Sequence, residues 1–184
     1  MGIQPHLVSL FKTSYVMDTD TLLDYKKRLL FVCLGNICRS PAAEGVMKHI
    51  VEKAGLGSEY YIDSAGIGAW HTGQLPDSRM RRCGASRGYD FSSRARQITQ
   101  ADFSRFDLIL VMDDENLKAV SRMARNNSER AKVRKLIDFA RQHKEADSIP
   151  DPYYGGQADF DYALDLIEDS CQGLFEELQS KEQY

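Results

Sequence analysis

"RLLFVCLGNICRSPA", residues 28–42, sets a continuous apolar run against an abrupt change of character at Gly35. Residues 28 to 35 read as a strand buried on both faces, because large apolar side chains follow one another without the alternation of a half-exposed strand. Behind the run, Ser40 is placed to cap a helix with Pro41 at its first position, and Ala43, Val46, Met47, Ile50, Val51 and Ala54 recur at helical spacing until Gly55. Strand, loop and helix thus follow directly on one another.

Working outward, "YYIDSAG" (60–66) and "FDLILVM" (106–112) repeat the strand signal, and "KVRKLIDF" (132–139) gives a weaker one. "PDSRMRRCGASRG" (76–88) and "DENLKAVSRMAR" (114–125) read as helices. Phe160 to Leu178 carries one apolar stripe and closes the chain with a long helix. The alternation predicts a single α/β domain on a parallel sheet with right-handed crossovers, a size that 184 residues suit. Ligands of such sheets sit at the carboxyl ends of strands, so chemistry is expected in "CLGNICRS".

Charge is distributed unevenly. The formal net charge is −3 and the pI about 5.8, which argues against a surface built throughout for nucleic acid. Arg79, Arg81, Arg82, Arg87, Arg94 and Arg96 nevertheless share one stretch with Asp90 as its only acid, while Glu145 to Leu178 holds no lysine or arginine. This contrast fits either solvated faces with local ion pairs or a basic rim that attracts anions. Cys33, Cys38, Cys83 and Cys171 lack the repeated spacing of a structural zinc site, and no secretory signal precedes them, so a cytoplasmic location is expected. Lys12, Asp18, Asp20 and Asp24 interrupt residues 1–27 too often for a membrane span. Those residues read as an extension outside the fold, with Met17 as an alternative start; residues 28–180 form the domain and 181–184 a tail.

A loop between a strand and a helix N-terminus aims unpaired backbone N–H groups and the positive end of the helix dipole at one point, which suits a phosphate dianion. Gly35 permits close backbone approach, Asn36 tolerates a left-handed conformation, and Arg39 offers a planar fork for two oxygens. The same field favours the thiolate of Cys33, the nucleophilic form. Cysteine, five residues and arginine is a spacing that gains weight here from its place between strand and helix. A metal held by Cys33 and Cys38 needs further ligands, and His49 and His71 supply no matching pattern; no metal or cofactor is expected. Cleaving a phosphoester also needs an acid for the leaving oxygen. "IPDPYYGG" (149–156) offers Asp151 between two prolines that stiffen its loop, with apolar neighbours expected to desolvate it partly. Tyr153, Tyr154 and Trp70, the single tryptophan, are candidate walls of a slot for a flat aromatic substrate.

"FVCLGNICRSPAAE" (31–44), "DSAG" (63–66), "ARQIT" (95–99), "FDLILVMD" (106–113) and "DPYYGG" (151–156) together resemble the low-molecular-weight protein tyrosine phosphatases, over about residues 28 to 180. The resemblance implies a flavodoxin-like, four-stranded parallel sheet with helices on both faces and a two-step reaction without metal. Cys33 is then the nucleophile, Arg39 the phosphate ligand and Asp151 the general acid and base. It further implies that Leu34, Gly35, Asn36, Ile37, Cys38 and Ser40 form the substrate loop, that Ser64 supports Asn36, that Ser40 bonds the Cys33 sulfur, and that Trp70, Tyr153 and Tyr154 wall the slot. Cys38 is implied as a redox partner of Cys33. The implied partners are phosphotyrosine proteins and a cognate tyrosine kinase acting on Tyr153 or Tyr154, with no nucleic acid, no membrane and a monomeric state. Trp70 followed by His71 resembles bacterial members. Ser93 stands where animal members carry a histidine, so no ion pair from that position to Asp113 is expected. Arsenate reductases and protein-arginine phosphatases share the fold. The former typically carry a cysteine after the third strand, absent from "LILVMDDEN"; the latter carry threonine where this chain has Ile37. A non-enzymatic phosphotyrosine-binding module and a thiol redox sensor are the remaining alternatives.

Overall fold

The computed structural model describes residues 24–180. Four parallel strands, β1 (Lys27–Cys33), β2 (Tyr60–Gly66), β3 (Leu108–Val111) and β4 (Val133–Lys135), lie in the order β2-β1-β3-β4. Helices are α1 (Arg39–Lys53), α2 (Ser78–Ser86), α3 (Asp102–Arg105), α4 (Asp114–Met123), α5 (Asn127–Ala131) and α6 (Gln157–Ser180). The arrangement is the flavodoxin-like α/β domain expected.

The continuous apolar run of β1 has its reason in the central place of that strand. Successive side chains point to opposite faces, and both faces are covered. Leu29, Phe31 and Cys33 join a core with residues of α1 and α6; Leu30 and Val32 join another with Phe103 of α3 and Val120 of α4. β3 divides likewise, Leu110 to the first core and Ile109 and Val111 to the second. The sheet therefore cannot slip by one residue without exchanging two complementary cores.

Several boundaries differ from the sequence reading. β1 ends at Cys33, which leaves Leu34 and Gly35 in the loop. α1 begins at Arg39, so Ser40 is inside the helix and is no cap; its hydroxyl turns inward. The helix ends as expected, with Gly55 at φ 74°, a left-handed position that glycine enters without a side-chain clash. "KVRKLIDF" is strand only over Val133–Lys135 and continues as a 3-10 turn, Leu136–Phe139, which buries Leu136, Ile137 and Phe139. α6 is longer at both ends than predicted. Of the expected extension, residues 1–23 lie outside the described residues, as does the tail 181–184. Tyr25 and Lys26, read as extension, touch the domain: the Tyr25 ring lies 5.5 Å from that of Tyr61 and Lys26 pairs with Glu59 at 3.1 Å.

Three arginines of the arginine-rich stretch are held in ion pairs. Arg79 binds Asp77, Arg87 binds Asp165 and Glu168, and Arg96 binds Asp63 and Asp102. None of its six arginines lines the cavity at Cys33. No described helix is long and apolar enough to cross a membrane.

Candidate active site

Cys33 ends the central strand, facing Gly66 across the β1–β2 ladder. The loop that follows doubles back against β2: a side-chain carbon on Gly66 would meet the Gly35 carbonyl carbon at 2.9 Å and the Asn36 nitrogen at 3.0 Å, so only glycine admits this approach. Asn36 sits at φ 57°. A non-glycine residue there is sustained by what its side chain does: Nδ2 donates to Ser40 Oγ (2.9 Å) and Ser64 Oγ (2.8 Å), while Oδ1 accepts from the backbone N–H of Arg96 (2.9 Å). Arg96 is fastened in turn to Asp63 and the buried Asp102. The segment "ARQIT" is thereby strapped to the loop.

This framework leaves donors with nothing to bind. The backbone N–H groups of Gly35, Asn36, Ile37 and Cys38 have no acceptor among the described residues. Arg39 is 2% exposed, and its Nε is likewise buried without a partner. The rest of the guanidinium is committed: Nη1 donates to Asp113 Oδ2 (2.6 Å) and Ile149 O (3.0 Å), and Nη2 to Asp151 Oδ2 (2.9 Å). Burial works against its charge, but Cys33, Asp151 and Asp113 more than offset this and hold Arg39 above the ordinary arginine value. Asp113 also caps α4 through the N–H of Asn116. It finds its cation in Arg39, which accounts for its place without a histidine at 93.

Cys33 is buried, with Sγ 3.0 Å from Ser40 Oγ. Cys38 is buried as well, and burial, followed by the charge of Cys33, pushes its thiol up. All four cysteines are free. Asp151 comes to the site because Ile149 N–H binds Met112 O (2.8 Å) at the end of β3. The Asp151 side chain is 40% exposed and lines the cavity beside Tyr153, with Pro152 buried and Pro150 exposed on its two sides.

Cys33, Leu34, Gly35, Ile37, Cys38, Arg39, Asp151 and the aromatic residues Trp70, Tyr153 and Tyr154 line one cavity of about 290 Å³. Trp70 lies over Gly68, where any side chain would collide with its ring. The Tyr153 and Tyr154 rings meet edge to face at 5.0 Å, with Arg79 5.6 Å from the centre of Tyr153. Asn36, Ser40 and Ser64, also named from sequence, do not line the cavity; their side chains form the layer behind the loop. His71 lines it too, and its only signal in the sequence is its place directly after Trp70. Asp113 was legible as the last residue of "FDLILVMD", but its contact with Arg39 spans 74 positions. A larger groove of about 770 Å³ between α1 and α6 contains none of these residues.

A parallel sheet with a cysteine at the end of an inner strand, in a cradle of free N–H groups and beside a guanidinium whose Nε has no partner, makes an α/β site suited to an oxyanion such as phosphate. The family model described as low molecular weight phosphotyrosine protein phosphatase matches residues 28–184. A low molecular weight protein-tyrosine-phosphatase of Streptomyces coelicolor is 44% identical over 148 residues, covering 80% of this chain and 90% of that protein. The crystal structure of a protein tyrosine phosphatase from Entamoeba histolytica, with Hepes in its active site, aligns with a TM-score of 0.81 and 43% identity, covering 85% of this chain and 99% of that one. A Drosophila arginine phosphatase aligns with a TM-score of 0.76 and 35% identity, covering 82% and 96%. The chain belongs to the low-molecular-weight phosphotyrosine protein phosphatase family.

Proposed function

We propose that this enzyme hydrolyses phosphotyrosine in proteins through a cysteinyl-phosphate intermediate. The observation that carries the reading is the set of unsatisfied donors around Cys33, four backbone N–H groups and Arg39 Nε, which a phosphate's non-bridging oxygens complete. In the first step Cys33 Sγ attacks phosphorus, an S–P bond forms, and the P–O bond to tyrosine breaks as Asp151 gives its proton to the leaving oxygen. Asp151 rests on Arg39 Nη2 in the free site. The incoming phosphate takes its place on the guanidinium and releases the acid toward the leaving group. In the second step Asp151 accepts a proton from water, the resulting O–P bond displaces sulfur, and Cys33 departs as a thiolate that the Ser40 hydroxyl stabilises.

The aromatic walls support tyrosine over serine, because a ring must reach a buried sulfur past Trp70 and Tyr153. Ile37, buried in the loop, supports tyrosine over arginine, although an arginine phosphatase is among the structural relatives. Cys38 suits a protective disulfide: peroxide converts the Cys33 thiolate to a sulfenic acid, and the Cys38 sulfur displaces hydroxide, which leaves as water. Tyr154, 97% exposed, is open to a tyrosine kinase.

The decisive experiment compares hydrolysis of phosphotyrosine, phosphoserine and phosphoarginine peptides, with a chelator present, by wild type, Cys33→Ser and Asp151→Asn. Preference for phosphotyrosine, no turnover by Cys33→Ser and slowed leaving-group expulsion in Asp151→Asn are expected. Preference for phosphoarginine reassigns the substrate. Absence of phosphatase activity in folded, reduced protein overturns the reading in favour of arsenate reduction or thiol sensing.

A further inference from the structure

Behind the loop, the hydrogen-bond chain continues past Ser64 to a residue the reaction above does not use. Glu44 lies one turn beyond Ser40 in α1 and is 3% exposed. Its Oε2 accepts from Ser64 Oγ at 2.6 Å, and its Oε1 from Lys48 Nζ at 2.5 Å. We infer that Glu44 is a positioning residue for Cys33, acting through Ser64 and Asn36 to fix which way the Ser40 hydroxyl points.

The reasoning follows from donors and acceptors alone. A carboxylate only accepts, whereas a hydroxyl has one hydrogen and must choose. With that hydrogen committed to Glu44, Ser64 Oγ meets Asn36 as an acceptor, and Asn36 Nδ2 stands 2.8 Å away. The same orientation of the amide turns Oδ1 to the Arg96 N–H and places the second Nδ2 hydrogen on Ser40 Oγ. Ser40 therefore receives a hydrogen bond from behind and keeps its own hydrogen for the sulfur at 3.0 Å, the alternative acceptor being Ala65 O at 3.3 Å. The chain runs in one direction from both ends, with Glu44 fixing Ser64 and the Arg96 backbone fixing Asn36. Take away the carboxylate, and the Ser64 hydrogen competes with the Asn36 amide for one space, which loosens the amide from Ser40. Lys48, on the exposed flank of the helix, balances the buried charge.

The inference rests on the phosphatase reading for its consequence, but its test has a readout that needs no phosphatase activity: the rate at which iodoacetamide alkylates Cys33. Glu44→Met removes the acceptor at similar volume; Glu44→Gln keeps a carbonyl oxygen for Ser64. Loss of a hydrogen bond to a charged group predicts that Glu44→Met slows both alkylation and phosphocysteine breakdown about tenfold. KM should change little, and Glu44→Gln should recover most of the rate. In a Ser40→Ala background, Glu44→Met should add nothing, because its effect passes through that hydroxyl. Multiplying effects of Glu44→Met and Ser40→Ala, or a lowered melting temperature with unchanged alkylation and turnover, overturns the inference. Should Glu44→Met not fold, Ser64→Ala carries the same test: its loss must equally vanish in the Ser40→Ala background. A wild type without phosphatase activity sinks the functional reading, while the alkylation cycle still decides the role of Glu44.

Discussion

Cys33 and Asp151 face one cavity, yet Cys33 is 3% exposed inside a closed hydrogen-bond framework, whereas the Asp151 side chain is 40% exposed and rests on one guanidinium and the Tyr153 N–H. The loop around Cys33 is braced by β2, α1 and the strap at Arg96; the segment around Asp151 is pinned chiefly at Ile149 and ends in a fully exposed Tyr154. The difference matches what each half handles. In the proposed reaction charge develops on the phosphoryl oxygens at the same place for every substrate, so donors fixed beforehand cost no reorganisation there. The proposed leaving group arrives attached to a protein, which an open flank suits.

The largest effect falls on the braced half. Cys33→Ser should lower kcat for a phosphotyrosine peptide by at least ~10⁴-fold, as loss of a covalent nucleophile does. Next comes Arg39→Lys. A single ammonium cannot hold Asp113 and the Ile149 carbonyl while also meeting two phosphate oxygens, so kcat should fall by roughly 10²- to 10³-fold while circular dichroism stays native. A loss confined to KM would mean that the guanidinium binds without stabilising the transition state, and the braced half would lose its special status.

On the open half, Asp151→Asn should slow phosphotyrosine hydrolysis about 10²-fold, within the range for general acid catalysis. The loss should shrink for aryl phosphates whose leaving group needs no proton, and equal losses across leaving groups would break the assignment. Trp70→Ala and Tyr154→Ala should have the smallest effects, a rise of roughly threefold to tenfold in KM for a peptide, as expected from losing one aromatic contact. Turnover of a small aryl phosphate should hardly move. If both substrates suffer alike, these rings shape the site itself, and the contrast between the halves narrows.

The braced half was also the more legible in sequence, because strand, glycine, arginine and helix are contiguous and the physics of each is local. The buried run at Leu29–Val32, the left-handed Asn36 and the closing Gly55 followed from residue type alone. Ser40 was misread as a cap for an instructive reason: a serine before proline has a local use, and only the fold reveals that Asn36 and Cys33 claim its hydroxyl instead. Asp113 and Glu44 were visible as letters in quoted motifs, but their partners Arg39 and Ser64 lie 74 and 20 positions away. No local rule reaches so far.

The strap at Arg96 has a consequence for how the site can be watched. Among the described residues its backbone N–H ends on Asn36 Oδ1 alone, so that proton trades with solvent when the phosphate loop parts from the strap. Amide exchange at this one position therefore times the opening of the cradle, on an empty enzyme and without a substrate or a chromophore.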